Sequence, residues 1–134
     1  EGRVTLADGL PHEEVLRRMA QSDLFVLPSW GEGYGIVYIE AMAAGCIAVG
    51  AENEGIADTI TDGENGFLVP AGDTDAVERV MRAVFAHPEA YEALRARGMR
   101  DARKLTWAHN AEITAGVYRE AMEHWRKEHA QAGH

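Results

Sequence analysis

The chain has 134 residues, of which 46% are apolar, enough for one globular domain with a core and without a disorder signature. Thirteen basic against 22 acidic side chains leave a net charge of −9, which excludes a generic nucleic-acid surface because that needs a basic face to neutralise phosphates. One cysteine, Cys46, excludes an intrachain disulfide and fits a reducing compartment, and no apolar run approaches the roughly 18 residues of a membrane span.

In chain order, Val4 to Leu6 reads as a short strand. Pro11, Glu13 and Glu14 suit the first turn of a helix, whose buried stripe is Val15, Leu16 and Met19. Leu24 to Leu27 is a continuous apolar run, read as a strand buried on both faces and ended by Pro28. Gly31, Gly33 and Gly35 form a loop, and a helix follows from about Ile36 to Ala44 with Gly45 at its stop. Cys46, as a small buried hydrophobe, precedes the strand Ile47 to Val49. A loop and short helix over Gly55 to Thr61 lead to the turn Asp62 to Gly66 and the strand Phe67 to Val69, closed by Pro70. The rest reads as helix. Asp73 or Thr74 caps a segment whose Val77, Val80, Met81 and Val84 follow helical spacing, and Pro88 breaks it. A second helix begins near Tyr91, Leu94 and Arg95 and is interrupted near Gly98. A third runs from about Trp107 to Lys127, with Ile113, Val117, Ala121 and Trp125 on one face.

Alternation of short strands and helices predicts an α/β fold, a doubly wound Rossmann-like parallel sheet of about four strands with a helical C-terminal segment. Residues 1–134 read as a single partial domain with a disordered polar tail over about 127–134. In such sheets ligands bind at the carboxyl ends of strands, where the loops Ser29 to Gly35 and Gly50 to Gly55 lie.

Within Pro28 to Gly45, PSWGEGYGIVYIEAMAAG, glycines at alternate positions let the backbone approach a ligand closely. The following helix offers unpaired amides at its N-terminus, which suits a phosphate. A tight strand-to-helix turn explains the glycines equally well. The carboxylates shift that balance. Glu32 lies in the loop, though a carboxylate before a helix can be an ordinary cap. Glu40 lies about one turn into the helix among apolar and small residues, where a charge needs a partner or ligand. The vicinal hydroxyls of a ribose or hexose are such partners, since a carboxylate accepts two hydrogen bonds in a fork.

Two glutamates separated by seven residues in LPSWGEGYGIVYIEAMAAG resemble the family-4 retaining glycosyltransferases (glycosyl transferases group 1) of the GT-B fold. SDLFVLPS, GCIAVGAENEGIADTI and DGENGFLVPAGD resemble the family's successive strands and loops, and Trp107 and Tyr118 its closing helix. The likeness runs from about Val4 to Met122. It implies the nucleotide-sugar-binding, C-terminal donor domain of an enzyme that transfers a sugar from a nucleoside diphosphate to an acceptor with retention at the anomeric carbon. It implies that Glu40 holds the nucleotide ribose and that Glu32, the catalytic-site residue, contacts the donor sugar. The amides of Gly33, Tyr34 and Gly35 would lie near sugar hydroxyls, and those of Ile36 and Val37 near the diphosphate. It implies metal-independent chemistry with no cofactor, the leaving diphosphate being stabilised by amides and basic groups. Two positions depart from the family. Glu54-Gly55 stands where paired glycines are frequent, and Asp58 where glutamate is. A carboxylate at Glu54 is unfavourable near a diphosphate unless it points away.

The resemblance also implies that two preceding strands, a basic pair and an N-terminal acceptor domain lie outside this chain, so the chain alone is expected to be inactive. In the strand order 3-2-1-4-5-6 the absent strands separate Val4–Leu6 from Leu24–Leu27. The exposed edge of the Leu24 strand is then expected to favour self-association or rearrangement. The family implies a cytoplasmic protein, any peripheral membrane attachment belonging to the absent domain. No nucleic-acid partner is expected. Two other readings stay open: a non-catalytic nucleotide-binding or structural fragment, and a nucleotide-sugar epimerase of the same fold. The six histidines, His12 included, read as solvated surface, and Trp30 either stacks on a ligand or packs.

Overall fold

A computed structural model describes residues 3–31, 33 and 35–130. They belong to two compact units, Glu1–Arg103 and Lys104–His134. The first unit contains α1 (His12–Met19), β1 (Leu24–Val26), α2 (Ile36–Ala44), β2 (Ile47–Ala51), a 3-10 turn (Gly55–Asp58), β3 (Phe67–Val69) and α3 (Thr74–Ala86). A second 3-10 turn (Pro88–Tyr91) and α4 (Glu92–Lys104) follow, and the other unit is the helix α5 (Trp107–Ala130).

The sheet has the order β1-β2-β3 and is parallel throughout. Leu24, Phe25 and Val26 stand opposite Ile47, Ala48 and Val49, and Val49, Gly50 and Ala51 opposite Phe67, Leu68 and Val69. Side chains alternate between the two faces. Phe25, Ala48 and Leu68 pack with Tyr38 and Met42 of α2, Ile56, Ile60 and Ala102. Leu24, Ile47, Val49, Phe67 and Val69 face Ala76, Val80 and Val84 of α3 and Leu94 of α4. Helices therefore cover both faces, as a doubly wound sheet requires.

Three strands form rather than about four. Val4 and Leu6 are 83% and 94% exposed, and that segment has no strand partner among the described residues. An extended segment without hydrogen-bonded neighbours on a sheet is not a strand. The burial expectation for Leu24–Leu27 is corrected as well. All of β2 is buried, whereas β1 is half-buried, because β1 pairs only with β2 and lies at an edge.

Most helices follow their sequence signals. α1 buries Met19 and packs Val15 and Leu16 beside Ala41 and Cys46. Asp73 caps α3 by accepting the Ala76 amide at 2.9 Å, the stabilising device of an N-cap carboxylate. α4, however, runs unbroken through Gly98. A Cβ on Gly98 would fall 2.7 Å from the Asn65 carbonyl oxygen, so the glycine serves close packing rather than a helix break. Asn65, itself 4% exposed, accepts the Thr61 amide at 2.8 Å and donates to the Thr59 carbonyl and to Asp101.

α5 stays helical through Lys127–Ala130, where the sequence suggests a frayed tail. The Trp125 and His129 rings stack at 4.3 Å, one turn apart, and Lys127 and His129 sit favourably at the negative end of the helix dipole. The expected tail residues 131–134 lie outside the described residues. No helix among the described residues is long and apolar enough to cross a membrane.

Candidate donor site

Because the three strands are parallel, their carboxyl ends lie at one rim, and the segments 27–35, 52–54 and 70–73 leave the sheet there. Pro28, which has no amide to donate, ends β1 after the Leu27 amide has bonded to the Val49 carbonyl at 3.1 Å. Gly31 and Gly35, both at positive φ, precede α2.

Gly35 is the N-cap of α2, with φ 70° and ψ 50°, a left-handed conformation that a Cβ disfavours. A Cβ there would also meet Tyr38 Cδ2 at 2.8 Å. Tyr38 is buried, its hydroxyl donates to the Leu27 carbonyl, and its ring stands edge-on to Phe25 at 5.4 Å. The glycine therefore lets the first turn of α2 lie directly over the end of β1. Among the described residues no side chain caps α2, and its first turn carries no acidic residue. The first amides and positive dipole end of such a helix suit an anion.

Of the residues selected from the sequence, Gly35, Ile36, Val37 and Glu40 are brought together on this first part of α2. Gly33 and Ile36 are exposed, Val37 is half-buried, and the Glu40 side chain is 30% exposed. Glu32 and Tyr34 lie outside the described residues. Glu40 has a neighbour that sequence reading missed. His12 Nε2, at the start of α1, stands 3.4 Å from Glu40 Oε1. His12 is still the surface residue expected, with 65% of its side chain exposed, but that surface borders Glu40.

Glu54 is the second residue of the site with an unforeseen role. Its Oε1 accepts the Gly31 amide at 3.1 Å, so the carboxylate is turned onto the glycine loop. The departure from paired glycines marked this position in the sequence without indicating its contact. Ser29, at the base of the same loop, has a buried Oγ without a hydrogen-bond partner among the described residues. Trp30 is 74% exposed, and its ring edge lies against Gly72, where a Cβ would come within 2.9 Å of Cζ2.

Cys46 belongs to the core. Its Sγ donates to the Met19 carbonyl at 3.0 Å, and burial pushes the thiol pKa up, which disfavours the reactive thiolate. No group of three or more His, Cys, Asp or Glu side chains with metal-binding geometry occurs among the described residues.

Comparison with known proteins gives a consistent picture. The family model described as glycosyl transferases group 1 matches residues 1–101. Glycogen synthase from Pseudomonas syringae pv. syringae (strain B728a) is 35% identical over 126 residues, 91% of this chain and 25% of that protein. D-inositol 3-phosphate glycosyltransferase from Streptomyces bingchenggensis is 33% identical over 106 residues, 79% of this chain and 23% of that protein. Among solved structures, sucrose-phosphate synthase from Thermosynechococcus elongatus superposes with a TM-score of 0.77 at 29% identity, covering 90% of this chain and 31% of that one. Anabaena Alr3699/HepE, solved in complex with UDP, shares the fold at a TM-score of 0.69 and 23% identity, over 77% of this chain and 29% of that one. The chain spans about a quarter of the length of the curated relatives it matches.

Proposed function

The chain belongs to the glycosyl transferases group 1, and from that premise we propose that it forms the donor-binding part of a retaining glycosyltransferase acting on a nucleoside-diphosphate sugar. The observation that carries this reading is the start of α2. A left-handed glycine cap, with no side-chain cap among the described residues, puts the N-terminus of α2 at the carboxyl ends of β1 and β2, with Glu40 about one turn further on.

In this reading each hydroxyl of the ribose diol donates a hydrogen bond to the Glu40 carboxylate. The diphosphate lies at the amides of Ile36 and Val37, where the helix dipole favours negative charge. The donor sugar lies over Gly33, Tyr34 and Gly35, with Glu32 beside it. As the anomeric bond breaks, negative charge grows on the leaving diphosphate. Preorganised amides stabilise that charge without reorganisation, so the residues named supply electrostatic catalysis without a metal ion. The acceptor and the remaining catalytic groups belong to the rest of a full-length enzyme, so we expect this chain to bind donor and not to transfer sugar. The relatives named above are sugar transferases and synthases, which supports transfer over epimerisation.

Calorimetric titration with ADP, GDP and UDP tests the proposal. Saturable 1:1 binding of at least one diphosphate is expected, together with no sugar release or transfer from its glucose ester. Failure of all three to bind would overturn the donor-site reading and leave a structural role.

A further inference from the structure

We propose that Glu54 is a positioning residue of the donor site, acting through the Gly31 amide to hold the start of the glycine loop. The proposal rests on the donor-site reading above.

The geometry is that of two turns facing one another. After β1 the chain passes through Gly31 at φ 73°, and after β2 it passes through Asn53 at φ 62°. Asn53 is the only non-glycine residue with positive φ among the described residues, a conformation that asparagine tolerates better than most side chains but that still costs free energy. The turn at Asn53 leads directly into Glu54, extended at φ −105° and ψ 165°, which caps the 3-10 turn Gly55–Asp58. From there the half-buried Glu54 carboxylate reaches the Gly31 amide, 23 residues away in sequence, at 3.1 Å. A Cβ on Gly31 would meet nothing within 4 Å, so space does not demand glycine there. The backbone conformation does, and it aims the amide at Glu54.

The same 3-10 turn also carries Ile56 close to the other end of the loop. Ile56 is buried, and its Cβ lies 3.8 Å from where a Cβ on Gly35 would be. Glu54 thus bonds Gly31 at the start of the loop, while Gly35 at its end is set by the left-handed cap of α2. Gly33, assigned above to the donor sugar, lies between them in sequence. Water could solvate an exposed loop amide equally well, so this bond adds little to folding. A bond from a carboxylate to a backbone amide is instead short-ranged and directional, which suits positioning.

The carboxylate has an opposing effect on the ligand, since a negative charge beside an anion site disfavours the diphosphate. The two effects separate experimentally. Charge acts on free nucleoside diphosphate and on its sugar ester alike. Loop position acts on the sugar ester alone. The ratio of the two affinities therefore reports positioning.

The experiment titrates the chain and its Glu54→Ala, Glu54→Gln and Glu40→Gln forms with ADP, GDP and UDP and with their glucose esters, and follows the Gly31 amide by two-dimensional NMR. Glutamine keeps an acceptor oxygen without the charge. Glu54→Ala is expected to lower the preference for the sugar ester over the free diphosphate by about tenfold, the effect of one charge-assisted hydrogen bond, and to move the Gly31 amide resonance upfield. Glu54→Gln is expected to restore most of the preference while tightening both ligands. Glu40→Gln is expected to weaken both ligands and leave their ratio unchanged. An unaltered ratio in Glu54→Ala, or a Glu54→Gln form that behaves like alanine, overturns the positioning role while the donor site stands. Absence of binding in every form, the unsubstituted chain included, overturns the donor site and this role with it.

Discussion

Replacing Gly35 by alanine probes the local geometry on which the candidate site depends. Gly35 sits at φ 70°, a conformation that costs a residue bearing a Cβ about 1–2 kcal/mol. The new methyl would also lie 2.8 Å from Cδ2 and 3.1 Å from Cε2 of Tyr38. That ring has little freedom to retreat. It is 1% exposed, tethered through its hydroxyl to Leu27 and packed edge-on to Phe25. Overpacking a fixed neighbour of this kind costs about 1–3 kcal/mol. The combined loss, about 2–5 kcal/mol, is a large share of the stability of a small domain. Gly63→Ala is the control, since Gly63 has φ 71° but no heavy atom within 4 Å of a new Cβ. It should lose only the conformational part. Urea unfolding followed by circular dichroism should show a common slope for the three proteins. The Gly35→Ala free energy should lie below that of Gly63→Ala by about 1–3 kcal/mol, the overpacking cost. Equal losses in the two variants would refute the claim that Tyr38 is fixed against the cap of α2.

Two other expectations concern the scaffold around the site. Asn65→Ala should lower the thermal midpoint, because it strands the Thr61 amide and the Thr59 carbonyl, each at a cost of about 1–3 kcal/mol if left buried and unpaired. A midpoint unchanged in differential scanning calorimetry would mean that water satisfies both groups. Hydrogen bonds from Arg17 and then Arg18 hold the Glu14 carboxyl well below its ordinary 4.5, at about 2. A depressed folded-state value favours the native state above the unfolded one, so this contribution is complete above about pH 4.5 and is lost as pH falls toward 2. Glu14→Gln should flatten that part of the pH–stability curve, and a curve identical to that of the unsubstituted chain would show that the pair adds nothing in solution.

Much of the scaffold is legible from local signals. Gly35 and Gly45 bracket α2, and both flanking conformations are left-handed, so the composition of that segment locates the helix to the residue. Asp73 was one of two readable caps for α3, and its side chain makes the bond. What escaped sequence reading depends on neighbours distant along the chain. Gly98 resembles a helix breaker until the Asn65 carbonyl is found against it. The Val4–Leu6 segment has the right composition for a strand, but composition does not supply a hydrogen-bonded neighbour. The pairing of His12 with Glu40 and of Glu54 with Gly31 arises because α1 packs on α2 and because the loops after parallel strands meet at one rim. Neither contact has a periodicity or spacing that a single sequence displays. The glutamate motif marked the candidate site in the sequence; the packing of its surroundings brought Glu54 onto the same loop.

The account stands most directly on Glu40 as the ribose ligand. The measurement is the affinity of the chain for its best-binding nucleoside diphosphate and for the 2′,3′-dideoxy form of the same compound, each repeated with Glu40→Gln. The unsubstituted chain should prefer the ribose form by roughly ten- to a hundredfold, the worth of hydrogen bonds to a charged acceptor, and Glu40→Gln should remove most of that preference. Equal affinity of the unsubstituted chain for the two compounds, or a preference that survives Glu40→Gln, would contradict the assignment of this site.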